Sequence, residues 1–209
     1  MKRIDATQAT ADLAASQRGF FTAAQARNTG VDKLTLSRLC AAGQVKRIDH
    51  GIYQAAGAPG FREETLYAAW LGLIPEMPSY QRPKDETDFV VSHATAAWLH
   101  GLGELNPEPF TFTYPSRRQT RSSQVRFVRS TLEPQDVTVV SGMPTTTIIR
   151  TVLDLLSSGE DLSLVASVLS DALRVNTDFA NESFTTKVDA FATRYGFGRG
   201  FSLYEYLRK

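Results

Sequence analysis

The sequence predicts an α+β fold, with a small basic N-terminal part at residues 1–58 and a larger mixed part at residues 62–209. Three observations predict it. Short helical patterns bounded by capping residues and glycines fill the first 43 residues, and a strand-like pair with a glycine turn follows at once. The run Ala55–Gly60 holds three Ala, two Gly and one Pro, which suits a linker. Beyond it, alternating apolar runs mix with helical periodicities.

Element by element, residues 5–17 form a first helix that Gly19 ends. Phe20-Phe21 is an apolar pair, and Thr22 caps a second helix through Asn28. Thr29-Gly30 closes that helix. Asp32 caps a third from Lys33 to Ala42, and Gly43 stops it. Val45–Ile48 and Ile52-Tyr53 flank Asp49-His50-Gly51 as a hairpin. Val45 and Ile48 are three apart, so the strand alternation is broken and irregular pairing is expected there. This order is that of a winged helix-turn-helix.

In the larger part a helix is expected at 63–74, a proline-containing loop to 88 and a short strand at Phe89-Val90-Val91. Ser92 caps a helix from His93 to His100, ended by Gly101. Strands follow at 110–114, 125–130 and 137–141, and a helix starts at Thr145 or Thr146. Further helices are expected at 162–174, 184–195 and 201–207.

Charge separates the two parts. Residues 1–60 carry eight Lys/Arg against four Asp/Glu, residues 61–150 nine against ten, and residues 151–209 six against eight. The basic excess sits on the winged helix, as a nucleic-acid-binding domain requires. No stretch approaches the ~20 apolar residues of a membrane helix. Met1-Lys2-Arg3 is followed by Asp5, Gln8 and Asp12 rather than by the apolar core of a signal peptide. Cys40 is the single cysteine, so no internal disulfide forms, and a cytoplasmic location is expected.

A helix in the major groove buries one face and offers polar side chains on the other. In the third helix Leu36, Leu39 and Cys40 make the buried stripe, which leaves Lys33, Thr35, Ser37 and Arg38 for double-stranded DNA. The hairpin adds Lys46, Arg47 and His50 as backbone contacts. The same module also serves some proteins as a protein-binding unit.

A second cationic feature lies between Phe110 and Leu132. Arg117, Arg118, Arg121, Arg126 and Arg129 occur there with no acidic residue. They suit a partner or nucleic-acid surface; the alternative is a solvated hairpin. No phosphate-binding glycine loop, zinc-finger spacing or HExxH occurs. His93 and His100 lack a third ligand nearby, so no metal or other cofactor is expected. Arg150 and Asp154 are spaced as a helix-surface ion pair. Nothing argues for an enzyme.

Three stretches carry a resemblance: Gly43–Ile48 with Gly51-Ile52-Tyr53, the run Val91–Leu102, and the run Gly142–Leu155. In this order they resemble AbiEi-type antitoxins, to about residue 175. The resemblance implies a bacterial toxin–antitoxin system associated with abortive infection against phage. The antitoxin would repress its own operon by binding promoter repeats. Its C-terminal domain would counter a nucleotidyltransferase-like toxin encoded beside it, indirectly, by direct binding or by covalent modification. Some chains with similar N-terminal parts carry a nuclease-like C-terminal domain instead. Here the residues after Asp154 lack a recognisable acidic set.

Overall fold

A computed structural model describes residues 5–209; Met1–Ile4, with Lys2 and Arg3, lie outside the described residues. The chain divides into two compact units, Met1–Pro83 and Lys84–Lys209.

The first unit opens with α1 (Ala6–Ala15), capped by Asp5, whose carboxylate accepts from the Thr7 and Gln8 amides. β1 (Phe20–Thr22) leads into α2 (Ala23–Asn28) through a capping box between Thr22 and Gln25. α3 (Lys33–Ala41) ends where the Gly43 and Gln44 amides donate back to Cys40 and Leu39 carbonyls. Gly43 has φ +68°, the left-handed position that glycine fills without strain. β2 (Val45–Asp49) and β3 (Ile52–Ala55) form the wing, and β1 pairs antiparallel with β3 in the order β1-β3-β2. Phe21, Ala26, Val31, Leu36, Leu39, Val45 and Tyr53 make the core. The unit is the expected winged helix-turn-helix, with Phe20-Phe21 recruited as a third strand.

The first unit also extends past the Ala/Gly/Pro run. α4 (Glu64–Leu73) buries Leu66, Tyr67, Trp70 and Leu71. Phe20 of β1 meets Phe61 and Tyr67 edge-on, at 5.8 and 5.9 Å between centroids. The segment after α4 is tied back by polar bonds. Thr22 Oγ1 donates to the Pro75 carbonyl, Gln25 Nε2 to the Met77 carbonyl, and the Ser79 amide to Gln17 Oε1. The division expected near residues 55–62 therefore falls inside this unit. A helix with an aromatic face must bury that face, and here β1 and β3 receive it.

The second unit holds β4 (Val90–Val91), α5 (His93–His100), β5 (Phe110–Tyr114), β6 (Val125–Arg129), β7 (Val137–Val140) and β8 (Met143–Thr146). Helices α6 (Ile148–Ser158), α7 (Leu162–Val175), α8 (Glu182–Asp189) and α9 (Leu203–Leu207) complete it. The mixed sheet runs β6-β5-β4-β8-β7. Leu155, Leu156, Val165, Leu169, Phe184 and Leu203 anchor the helical core.

Four expectations change. β5 and β6 pair in parallel, Phe110 opposite Val125 and Tyr114 opposite Arg129, so residues 115–124 are a crossover and not a hairpin turn. β8 replaces the expected helix start, because Met143–Thr146 pairs with β7 and Thr147 caps α6 instead. The expected helix 184–195 breaks after Asp189 into a short 3-10 turn at Ala192–Tyr195. Ser92 makes no side-chain cap bond. Its fully buried hydroxyl accepts from Thr113 Oγ1 at 2.8 Å and lies 3.0 Å from His93 Nδ1.

The pair Arg150–Asp154 is also not a surface pair. Asp154 is only 6% exposed, and Arg150 bonds Asp154 and Asp136 at 2.8 Å each and Ser130 Oγ at 3.3 Å. Burial raises the Asp154 carboxyl, while the Arg150 guanidinium pulls the other way.

Candidate nucleic-acid interface

α3 is positioned from both ends. Asp32 Oδ1 accepts from the Thr35 amide at 2.8 Å, and that bond holds the carboxyl below its ordinary range. Leu36 and Leu39 anchor the inner face against Phe21, Val31 and Tyr53. Lys33, Ser37 and Arg38 are exposed, whereas Thr35 is half-buried. Thr35 flanks Leu39 around the helix, so it borders the core more than sequence spacing alone conveys.

Leu34 is one residue that sequence reasoning missed. It is 59% exposed, in the first turn of α3. At about 100° per residue it lies roughly opposite the Leu36–Leu39–Cys40 stripe, on the ridge shared with Ser37 and Arg38. That angle was legible, but an apolar residue in a helix is read by habit as core. On a groove-facing helix it can meet a thymine methyl.

The wing shows the irregularity expected from Val45 and Ile48. Lys46 faces Gln54, Arg47 faces Tyr53, and the register then shifts so that Asp49 faces Ile52. The extra residue reshapes the turn. Arg47 Nε donates to the Asp49 carbonyl at 3.3 Å, and the His50 amide donates to Asp49 Oδ1 at 2.6 Å. Gly51, at φ +73°, offers its carbonyl to the Ala23 amide, which ties the wing to α2.

A cleft of about 590 Å³ opens between the N-terminal turn of α3 and the wing. Lys33, Arg47 and His50 line it together with Arg27, a further basic side chain from the last turn of α2 that sequence reasoning did not single out. Asp32 and Glu76 also border it. Lys46 is not in this cleft. It precedes Arg47 on the strand, so the two leave the hairpin on opposite faces. Ser37 and Arg38 sit outside the cleft, on the ridge of α3.

The five arginines of 110–132 belong to the second unit and do not form one patch. Arg117, Arg118 and Arg121 lie in the exposed crossover, where the Arg118 guanidinium is 5.3 Å from the Tyr114 ring and 5.7 Å from that of Phe89. Arg126 lies opposite Thr111, on the face where Thr113 meets Ser92. Arg129 lies opposite Tyr114, on the face where Phe89 stacks with Tyr114. No described helix is long and apolar enough to cross a membrane.

No curated protein matches the chain. Among solved structures, the RV2827C protein from Mycobacterium tuberculosis is similar in fold. It is 16% identical, with a TM-score of 0.56, over 99% of this chain and 78% of that one. Residues 8–56 match the family described as "Transcriptional regulator, AbiEi antitoxin". That match spans α1 to the wing, the elements that carry Lys33, Arg38 and Arg47, and over these residues the chain is similar to the AbiEi antitoxin transcriptional regulators.

Proposed function

We propose that this chain binds double-stranded operator DNA through α3 and the wing, represses its own operon, and counteracts a nucleotidyltransferase-like toxin through its second unit. The observation that carries the reading is the convergence of Lys33, Arg47, His50 and Arg27 on one cleft beside the exposed ridge of Leu34, Ser37 and Arg38. In this reading α3 enters the major groove. Arg38 reads a guanine edge or fixes register, Leu34 meets a thymine methyl, and Thr35 and Ser37 reach from the flanks. Lys46 and the cleft cations hold phosphates on either side of the wing. Neutralisation falls to residues 84–209, with Arg117, Arg118, Arg121, Arg126 and Arg129 as the partner surface. The action is stoichiometric, in the cytoplasm, and uses no cofactor.

The test pairs a gel shift on the chain's own promoter with growth rescue from the neighbouring toxin gene. Retarded promoter DNA at physiological salt, with rescue, supports the reading. Equal affinity for promoter and random duplex removes the repressor half, and failure to rescue removes the antitoxin half.

A further inference from the structure

β6 is an edge of the second unit's sheet, and among the described residues no strand pairs with its outer side. The Phe110 amide donates to the Gln124 carbonyl and the Ser130 amide to the Tyr114 carbonyl. In a parallel ladder alternate residues face the neighbour, so Gln124, Arg126, Val128 and Ser130 turn their peptide groups toward β5. The N–H and C=O groups of Val125, Phe127 and Arg129 therefore point outward.

Sheet edges are commonly guarded by charge, which repels a like-charged strand. This edge carries cations only, from 110 through 132. The opposite edge, β7, reads Val-Thr-Val-Val and has no charge. Arg126 and Arg129 leave β6 on opposite faces of the sheet. A phosphate backbone lying along one face would meet only one of them. An added strand turns its side chains alternately to both faces and can place an acid beside each.

From this edge geometry and charge we infer that β6 is a docking strand for an acidic, extended segment of a protein partner, which joins the sheet as a sixth strand. The partner's backbone bonds to the outward groups of Val125, Phe127 and Arg129. Its carboxylates, three residues apart, pair with Arg126 and Arg129. The crossover arginines extend the attraction beyond the strand. The inference requires the arginine segment to be a protein-binding surface, and it is independent of operator binding by the first unit.

The probe is a fluorescent synthetic peptide repeating Glu-Thr-Val, whose acids alternate between the two faces. It is titrated onto the full chain at physiological salt by anisotropy. A second peptide is identical but N-methylated at every residue, which keeps the charge and removes the ladder donors in every register. Binding of the first peptide, with a loss of about fivefold or more on N-methylation, is expected, since one net hydrogen bond is worth about that factor. Val125→Pro removes an outward amide without touching the β5 ladder and should weaken the unmodified peptide similarly. If that variant melts early, the two peptides on the unaltered chain decide alone. Equal affinity for both peptides, or no binding of either, overturns the inference. So does a single-stranded or duplex DNA that binds where the peptide does not and is lost in the Arg126→Gln, Arg129→Gln chain.

Discussion

Arg47 folds back across the wing turn onto His50, its Nη2 lying 3.3 Å from His50 Nδ1. The contact fixes both side chains over the cleft that Lys33 and Arg27 also line. A guanidinium held in place loses less entropy when it meets a phosphate. Arg47→Ala is therefore expected to weaken binding to every duplex and to lower the log–log salt slope by about 1. Lys46→Ala, on the other face of the hairpin, should lower the slope by a similar amount if it too holds a phosphate. The measurement is affinity over a salt series. An unchanged slope for Arg47→Ala would place the residue away from the phosphates.

Arg38 and Leu34 share the outer ridge of α3 and should separate specific from general binding. Arg38→Ala is expected to cost about 1–3 kcal/mol at the operator and less on random DNA. Leu34→Ala should leave the melting temperature unchanged, because the side chain is 59% exposed, yet weaken the operator complex severalfold. Competition gel shifts against random duplex check both. Equal losses on the two DNAs would make Arg38 a phosphate contact and remove Leu34 from readout.

Much of this ridge was legible in the sequence. Asp32 before Lys33 and Gly43 after Ala42 mark the helix ends, and Leu36 and Leu39 mark its inner face. The three-residue spacing of Val45 and Ile48 foretold the bulge between Arg47 and Asp49. What was not legible depends on distant partners. Phe20-Phe21 is a strand only because β3 lies beside it. Pro144 argues against a strand, yet it pairs with Val139 because β7 donates the neighbouring edge. Whether β5 and β6 run parallel is decided by the path of 115–124, which local pattern does not encode.

The attachment of α4 to the winged helix gives a stability prediction. A fragment of residues 1–83 should fold alone with a cooperative melt. A fragment of residues 1–58 should be much less stable, since it strips Phe61 and Tyr67 from a wholly buried Phe20 and leaves the Thr22 and Gln25 side chains without their carbonyl partners. Circular dichroism melts of the two fragments make the comparison. Equal melting temperatures would contradict the role of α4.

Acid should destabilise the second unit through His93. Burial, with Arg126 and Arg150 nearby, lowers its pKa from 6.5 to about 4. Between those values the unfolded chain holds a proton that the folded chain does not, so stability rises with pH across the window and falls as pH drops. The full span is worth roughly 3 kcal/mol. His93 also sits at φ +56°, which Asn tolerates better than most residues. His93→Asn should therefore shrink the loss of melting temperature between about pH 6.5 and pH 4.5, a window set by these pKa values. His100, also lowered by burial, acts in the same direction. An unchanged pH dependence in His93→Asn would show that His93 is protonated in the folded state.

The central claim is that α3 carries operator recognition and residues 84–209 carry neutralisation. Its most direct test is the double variant Lys33→Glu, Arg38→Glu, followed by gel shift, melting curve and toxin rescue from an unrelated promoter. Both side chains are exposed and lie outside the α3 core contacts, so the melting temperature should be unchanged. Charge reversal replaces phosphate attraction with repulsion, so operator binding should be abolished while rescue persists. A folded double variant that still shifts the operator, or that no longer rescues, would contradict the account.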